Sequence, residues 1–171
     1  NLTSRGVPAM GEVEFAVQNT TLPYIAITGT NGKTTTTELT AAILNGAGVK
    51  SLACGNIGLA LSSVVLDATP VEVLTVEVSS FQLELIETFR PRVAVWMNFA
   101  PDHLDRHPSL EAYRAAKLRI FENQTADDTA VLNGAEDYPA LRAKRVTFSA
   151  WNSGGDFTFR DGGVYHRDGH L

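Results

Sequence analysis

The sequence predicts an α/β fold, a mostly parallel sheet flanked by helices and finished by a C-terminal β-hairpin. Three observations predict it. Short apolar runs alternate with stretches of helical periodicity along most of the 171 residues. Runs such as Val71-Glu-Val-Leu-Thr-Val and Val93-Ala-Val-Trp-Met are almost continuously apolar, as strands covered on both faces are. Beyond Ser149 the texture changes to FTFRDGGVYHRDGHL, which reads as an antiparallel hairpin turning at Asp161-Gly162-Gly163.

Taken in order, the alternation predicts strand 24–28, helix 33–46, strand 49–54, helix 58–66, strand 72–78 and helix 80–88. It continues with strand 92–97, helix 109–122, strand 129–133, helix 136–142 and strand 145–148. Ser109, after Pro108, is the expected N-cap of the helix that starts there. Alternation of this kind implies right-handed βαβ units, with ligands gathered at the carboxyl ends of the strands. The opening NLTSRGVPAMGEVEFA lacks an initiator methionine and reads as the close of something earlier. Residues 1–18 are therefore expected to end a preceding domain or linker, and 19–171 to form one domain.

The segment YIAITGTNGKTTTT carries the most chemistry. A strand runs into Gly29-Thr30-Asn31-Gly32, and Lys33 opens a helix. That order brings backbone N–H groups and the positive end of a helix dipole to one point, with Lys33 adding a full charge. The hydroxyl of Thr34 can ligate the magnesium that accompanies a nucleoside triphosphate. The loop is shorter than G-x-x-x-x-G-K-[ST], because Ile27 stands where that pattern has glycine. A Gly-rich turn with a solvated lysine is the bland alternative. It leaves unexplained why Lys33 and several threonines fall together at a helix start. The domain is thus read as P-loop type, binding ATP or GTP.

Polar residues mark the other strand ends. Glu77 is placed to hold magnesium, directly or through water, and could otherwise be a surface residue. Asn56 follows strand 49–54, as a turn residue or a substrate hydrogen-bonder. Asn98 ends strand 92–97 and leads into Pro101-Asp-His-Leu-Asp-Arg-His. In that run His103 is a metal ligand oriented by a carboxylate, or part of a solvated loop. In helix 109–122 the 100° step puts Leu110, Tyr113, Ile120 and Phe121 on one stripe, with Lys117 near its middle and Arg119 facing away. A lysine so placed must snorkel, pair or lose its charge, and a buried neutral amine is nucleophilic and open to modification.

Composition excludes several classes. A net charge of −5 argues against binding nucleic acid by phosphate neutralisation and leaves no polybasic patch for a membrane. The uncharged segment 51–66 is broken by glycines, an asparagine and serines, so no membrane span is expected. One cysteine, Cys54, rules out a disulfide framework and fits a reducing cytoplasm.

GTNGKTT, GNIG, EVSSFQLE, NFAPDHLDRH and YRAAKLRIFENQ occur here in the order seen in the Mur ligases. From about Gly11 to Asn133 the chain resembles that family, and SSFQLE points to its D-glutamate-adding members. The resemblance implies a central ATP-binding domain truncated at its C-terminal end, with a uridine-nucleotide-binding domain before it and an amino-acid-binding domain after it. It implies that Gly29, Thr30, Asn31, Gly32, Lys33, Thr34 and Thr35 hold the triphosphate. Thr34 and Glu77 would ligate Mg2+, and His103 would help hold a second Mg2+. Lys117 would be N-carbamylated and assist the metals. Asn56, Ser79, Gln82 and His103 would lie near the muramoyl-alanine substrate, and Lys33, His103 and Lys117 would be catalytic. The implied reaction forms an acyl phosphate from the alanyl carboxylate and ATP, which the amine of D-glutamate then opens to an amide, in cytoplasmic peptidoglycan precursor synthesis. A monomer acting on small molecules is expected, with the isolated excerpt inactive. Alternatives are a ligase for another amino acid, such as a folylpolyglutamate synthase, a P-loop switch or motor ATPase, and a non-catalytic nucleotide-binding module.

Overall fold

The computed structural model describes residues 9–102, 105–150, 154–167 and 169–170. The elements follow the expected alternation. They are α1 (Glu12–Gln18), β1 (Tyr24–Thr28), α2 (Lys33–Gly46), β2 (Ser51–Gly55), α3 (Leu61–Leu66), β3 (Val73–Glu77) and α4 (Ser80–Leu83). There follow β4 (Val93–Trp96), α5 (Leu110–Leu118) with a 3-10 turn at Arg119–Phe121, β5 (Thr129–Asn133), β6 (Lys144–Ser149), β7 (Phe157–Arg160), β8 (Gly163–His166) and β9 (Gly169–His170).

The strands form one sheet in the order β2-β3-β1-β4-β5-β6-β7-β8-β9. Pairing is parallel from β2 through β7 and antiparallel from β7 to β9. The chain leaves β1 to one side for β2 and β3, then crosses to β4 on the other side. The strand order therefore reverses at β1, and its carboxyl end is where a crevice opens. Right-handed crossovers place α2 on one face and α3, α4 and α5 on the other. On that second face α1 packs against α3, and α4 against α5. Ala26, Leu74, Val76, Ala94, Trp96 and Leu132 point to that face and form one core with Val13, Leu61, Phe89 and Ile120.

The hairpin turns as expected. Arg160 pairs with Gly163 across a two-residue loop in which Asp161 and Gly162 both have positive φ, 49° and 77°. That is the backbone twist a tight hairpin requires.

Two expectations are corrected. Residues 136–142 form no helix. Pro139 removes a backbone donor there, and Glu136 is held instead by the indole N–H of Trp96 (2.8 Å) and the Phe99 N–H (2.9 Å). The helix expected over 80–88 stops at Leu83. Beyond it the Arg119 guanidinium donates to the carbonyls of Leu83 (2.9 Å), Glu84 (2.6 Å) and Ile86 (2.7 Å). The N–H groups of Glu87, Thr88 and Phe89 go to the buried Glu14 carboxylate at 2.9, 2.8 and 3.1 Å. Distant side chains thus satisfy a backbone that another helical turn would have satisfied locally. Glu14 lies on α1, which packs against α3.

Candidate nucleotide and metal site at the carboxyl ends of the strands

β1 delivers its last residue, Thr28, to the rim of the sheet, where the hydroxyl donates to the Val78 carbonyl at 2.8 Å. Gly29 follows against the end of β4. A Cβ there would stand 2.8 Å from Met97 Cβ and 3.2 Å from Asn98 N, so the loop can pass only as glycine. Residues 98–100 bind the loop closely. Thr30 N–H donates to the Asn98 carbonyl (3.0 Å) and Asn31 N–H to Asn98 Oδ1 (2.9 Å). Asn98 Nδ2 returns a bond to the Asn31 carbonyl (3.0 Å). The Thr30 hydroxyl bridges the Ala100 carbonyl and N–H at 3.2 and 3.0 Å.

Gly32 caps α2, and the first bond into the helix runs from Thr36 N–H to the Gly32 carbonyl. The preceding N–H groups of the first turn have no partner within the helix, as helix geometry requires. They share the rim with Lys33, whose ammonium folds back onto the Thr30 carbonyl at 3.0 Å. Thr35 is exposed on the same turn.

Glu77 ends β3 beside this turn and is 2 % exposed. Its two oxygens accept from the Thr34 hydroxyl (2.8 Å) and the Asn56 amide (2.9 Å). Both donors are neutral. A buried carboxylate oriented by a hydroxyl and an amide suits a magnesium ion, which retains several waters and takes one or two carboxylates with substrate phosphates. Among the described residues no group of three or more His, Cys, Asp or Glu side chains could hold a metal by itself.

Lys117 reaches the loop from α5. The side chain is 2 % exposed, its Nζ donates to the Gly29 carbonyl at 2.8 Å, and it stands 4.8 Å over the Tyr113 ring. Burial pushes the ammonium down to about 8, aided by Lys33 and opposed by Asp102 and Glu77. The helical stripe is realised, with Tyr113, Lys117 and Ile120 all buried, while Arg119 turns away to α4.

Thr34, Asn56, Glu77, Lys33 and Lys117 thus meet at one rim. His103 lies outside the described residues. Ser79 and Gln82 stand one turn from Glu77 and are engaged with each other. Ser79 caps α4, its N–H and hydroxyl donating to Gln82 Oε1 at 2.9 and 3.0 Å. Sequence reasoning missed the reciprocal Asn31–Asn98 pairing. It also missed His107, buried between Ser80 (3.0 Å) and Glu84 (3.3 Å) and stacked on Phe81. A second histidine in DHLDRH was the only signal of that. A cavity of about 540 Å³ lies at the amino ends of β1 and β3, lined by residues such as Thr20, Leu22, Val65 and Val71. It holds no titratable side chain, so the chemistry stays with the rim.

Comparison with known proteins identifies the family. The Mur ligase middle domain matches residues 27–157. The UDP-N-acetylmuramoylalanine–D-glutamate ligase of Alkaliphilus oremlandii is 43 % identical over 100 % of this chain and 37 % of its own length. That of Koribacter versatilis is 47 % identical over 96 % of this chain and 38 % of its own. The chain therefore spans a little over a third of the length of these relatives. Among solved structures, a UDP-N-acetylmuramoyl-L-alanyl-D-glutamate–2,6-diaminopimelate ligase superposes with a TM-score of 0.68 at 25 % identity, covering 99 % of this chain and 40 % of that one. The match of that middle domain over most of the chain, with relatives 43 and 47 % identical that cover nearly all of it, leads to one conclusion: the chain belongs to the Mur ligase family.

Proposed function

We propose that this chain is the ATP-binding part of an enzyme that adds D-glutamate to UDP-N-acetylmuramoyl-L-alanine, working as a monomer in the cytoplasm. The observation that carries the reading is the junction of Thr34, Glu77 and Asn56, which ties the phosphate loop to the end of β3. The relatives of 43 and 47 % identity bear the name of that activity.

In this reading the first turn of α2 and Lys33 hold the β- and γ-phosphates. Thr34 and Glu77 would hold Mg2+, whose chemistry there would be to offset phosphate charge as an anionic nucleophile approaches. The alanyl carboxylate attacks the γ-phosphorus, the bond to the ADP oxygen breaks, and ADP leaves. The amine of D-glutamate then attacks the acyl phosphate, phosphate departs, and the amine loses its surplus proton. Asn56 orients Glu77, and Asn56, Ser79, Gln82 and His103 would contact the muramoyl-alanine substrate, as the resemblance implies. Lys117 already has the lowered basicity that addition of carbon dioxide requires, since only a neutral amine reacts. As a carbamate, with His103, it would assist a second Mg2+.

The test is phosphate release by the full-length protein supplied with ATP, Mg2+ and UDP-N-acetylmuramoyl-L-alanine. D-glutamate should raise the rate strongly and L-glutamate should not. Equal release with and without the muramoyl substrate would replace the ligase with an ATPase. Activity indifferent to bicarbonate depletion would remove the carbamate alone. The 171-residue chain by itself is expected to form no amide.

A further inference from the structure

The phosphate loop is held from outside itself. Of the backbone polar groups of residues 29–31, the Gly29 carbonyl takes the Lys117 ammonium, and the Thr30 N–H and Asn31 N–H both go to Asn98. The carboxamide of Asn98 meets the Asn31 residue twice, accepting at 2.9 Å and donating at 3.0 Å. This is the two-point pairing one strand residue offers another, here made by a side chain at a strand end. While it holds, the Asn31 N–H is unavailable to an anion. The donors left are those of the first turn of α2 and Lys33.

The same brace continues along the chain. Ala100 is tied to the Thr30 hydroxyl through both its N–H and its carbonyl. Two residues further, Asp102 bears electrostatically on Lys117. The loop that meets phosphate and the loop that leads toward His107 are therefore clamped together at residues 98–100.

We propose that Asn98 is a positioning residue for the nucleotide: its carboxamide fixes the Asn31 peptide so that the triphosphate meets the first turn of α2 and Lys33. Asn98 itself touches neither phosphate nor the reacting atoms. This rests on the reading of the rim as an ATP site.

The test uses the full-length protein, calorimetric titration with ADP and Mg2+, and steady-state kinetics in ATP. Asn98→Ala removes both bonds and should weaken ADP about tenfold, raising KM for ATP by a similar factor. With saturating ATP, kcat should stay within about threefold, because the chemical step is untouched. Asn98→Asp keeps an acceptor for the Asn31 N–H but sets an anionic oxygen against the Asn31 carbonyl, and should weaken ADP further. Asn133→Ala is the control. Its amide holds the Met97 carbonyl at 3.1 Å, at the same strand end but off the loop, and ADP binding should not change. ADP binding by Asn98→Ala within twofold of the parent would overturn the proposal, as would a fall in kcat at unchanged KM. So would loss of folding in both Asn98 variants, since Asn98 would then serve the fold. A parent protein that binds no adenine nucleotide would instead end the reading of the rim, which separates the two failures.

Discussion

Lys117→Met tests the electrostatics of the rim through stability. The side chain is 2 % exposed, and its ammonium is lowered from 10.5 to about 8. The folded value lies below the unfolded one. Between pH 8 and pH 10.5 the unfolded chain therefore holds more of this proton, and stability rises with pH across that window. A displacement of that size makes the charged lysine oppose folding by roughly 3 kcal/mol at pH 7 and roughly 2 kcal/mol at pH 9. Methionine keeps the volume and cannot titrate. It also forgoes the neutral amine's bond to the Gly29 carbonyl, worth about 1 kcal/mol. At pH 7 the variant should therefore be the more stable by roughly 2 kcal/mol. At pH 9 the parent should gain on it by about 1 kcal/mol. Urea unfolding of this chain, followed by the buried Trp96 in bicarbonate-free buffer at both pH values, reads the difference directly. Burial pushes the Cys54 thiol up to about 12, which lowers stability as pH rises, but it does so in both proteins and drops out. A difference between parent and variant that stays constant from pH 7 to pH 9 would refute a buried, weakened ammonium.

Glu77→Gln keeps the shape and the acceptor for the Asn56 amide, with the Thr34 hydroxyl turning from donor to acceptor, and removes the charge; phosphate release by the full-length protein should fall about a hundredfold or more. Glu14→Gln weakens an acceptor that three consecutive backbone N–H groups share, and should cost roughly 2–4 kcal/mol in urea unfolding. Burial tends to raise the Glu14 carboxyl, but bonds from Thr88, Glu87 and Gln18 outweigh it and hold it below 4.5. Its contribution is therefore present above pH 4.5 and lost as pH falls through the lower folded value, a loss the glutamine variant should not show. Ala68 sits at φ 47° where the chain leaves α3, a conformation that disfavours a Cβ. Ala68→Gly should stabilise by about 1 kcal/mol, read as a higher urea midpoint at unchanged slope.

What was legible followed from how far apart the deciding residues lie. The parallel strands could be read because a strand covered on both faces writes its burial into five consecutive residues. Lys117 could be read because helical periodicity is local, and α5 keeps the expected stripe. The non-helical path of residues 136–142 depends on Glu136 finding Trp96 and Phe99, 40 and 37 residues away. The early end of α4 depends on Arg119, 33 to 36 positions after the carbonyls it holds, and on Glu14, 73 to 75 positions before the N–H groups it accepts from. Only closure of the fold brings the Glu14 carboxylate to three N–H groups more than 70 positions on. The Asn31–Asn98 pair, 67 residues apart, leaves no trace in either local segment.

The charges at the rim also constrain the order of events there. Lys33 is one cause of the lowered Lys117 value, and both lysines face carbonyls of the same loop. A triphosphate held by Lys33 and the first turn of α2 would bring several negative charges close to Lys117. An opposite charge nearby favours the charged form of an amine, so nucleotide binding would carry Lys117 back toward its ordinary value. Each unit of that return cuts the neutral fraction about tenfold at a pH below the pKa. Carbon dioxide adds only to the neutral amine. If Lys117 is carbamylated in the full-length enzyme, modification therefore proceeds faster before nucleotide arrives than after. Preincubation with bicarbonate followed by ATP should reach full activity without a lag, whereas ATP added first should give a lag that lengthens with ATP concentration. The same time course in both orders would show that the triphosphate does not act on Lys117, and the charge coupling across the loop would have to be abandoned.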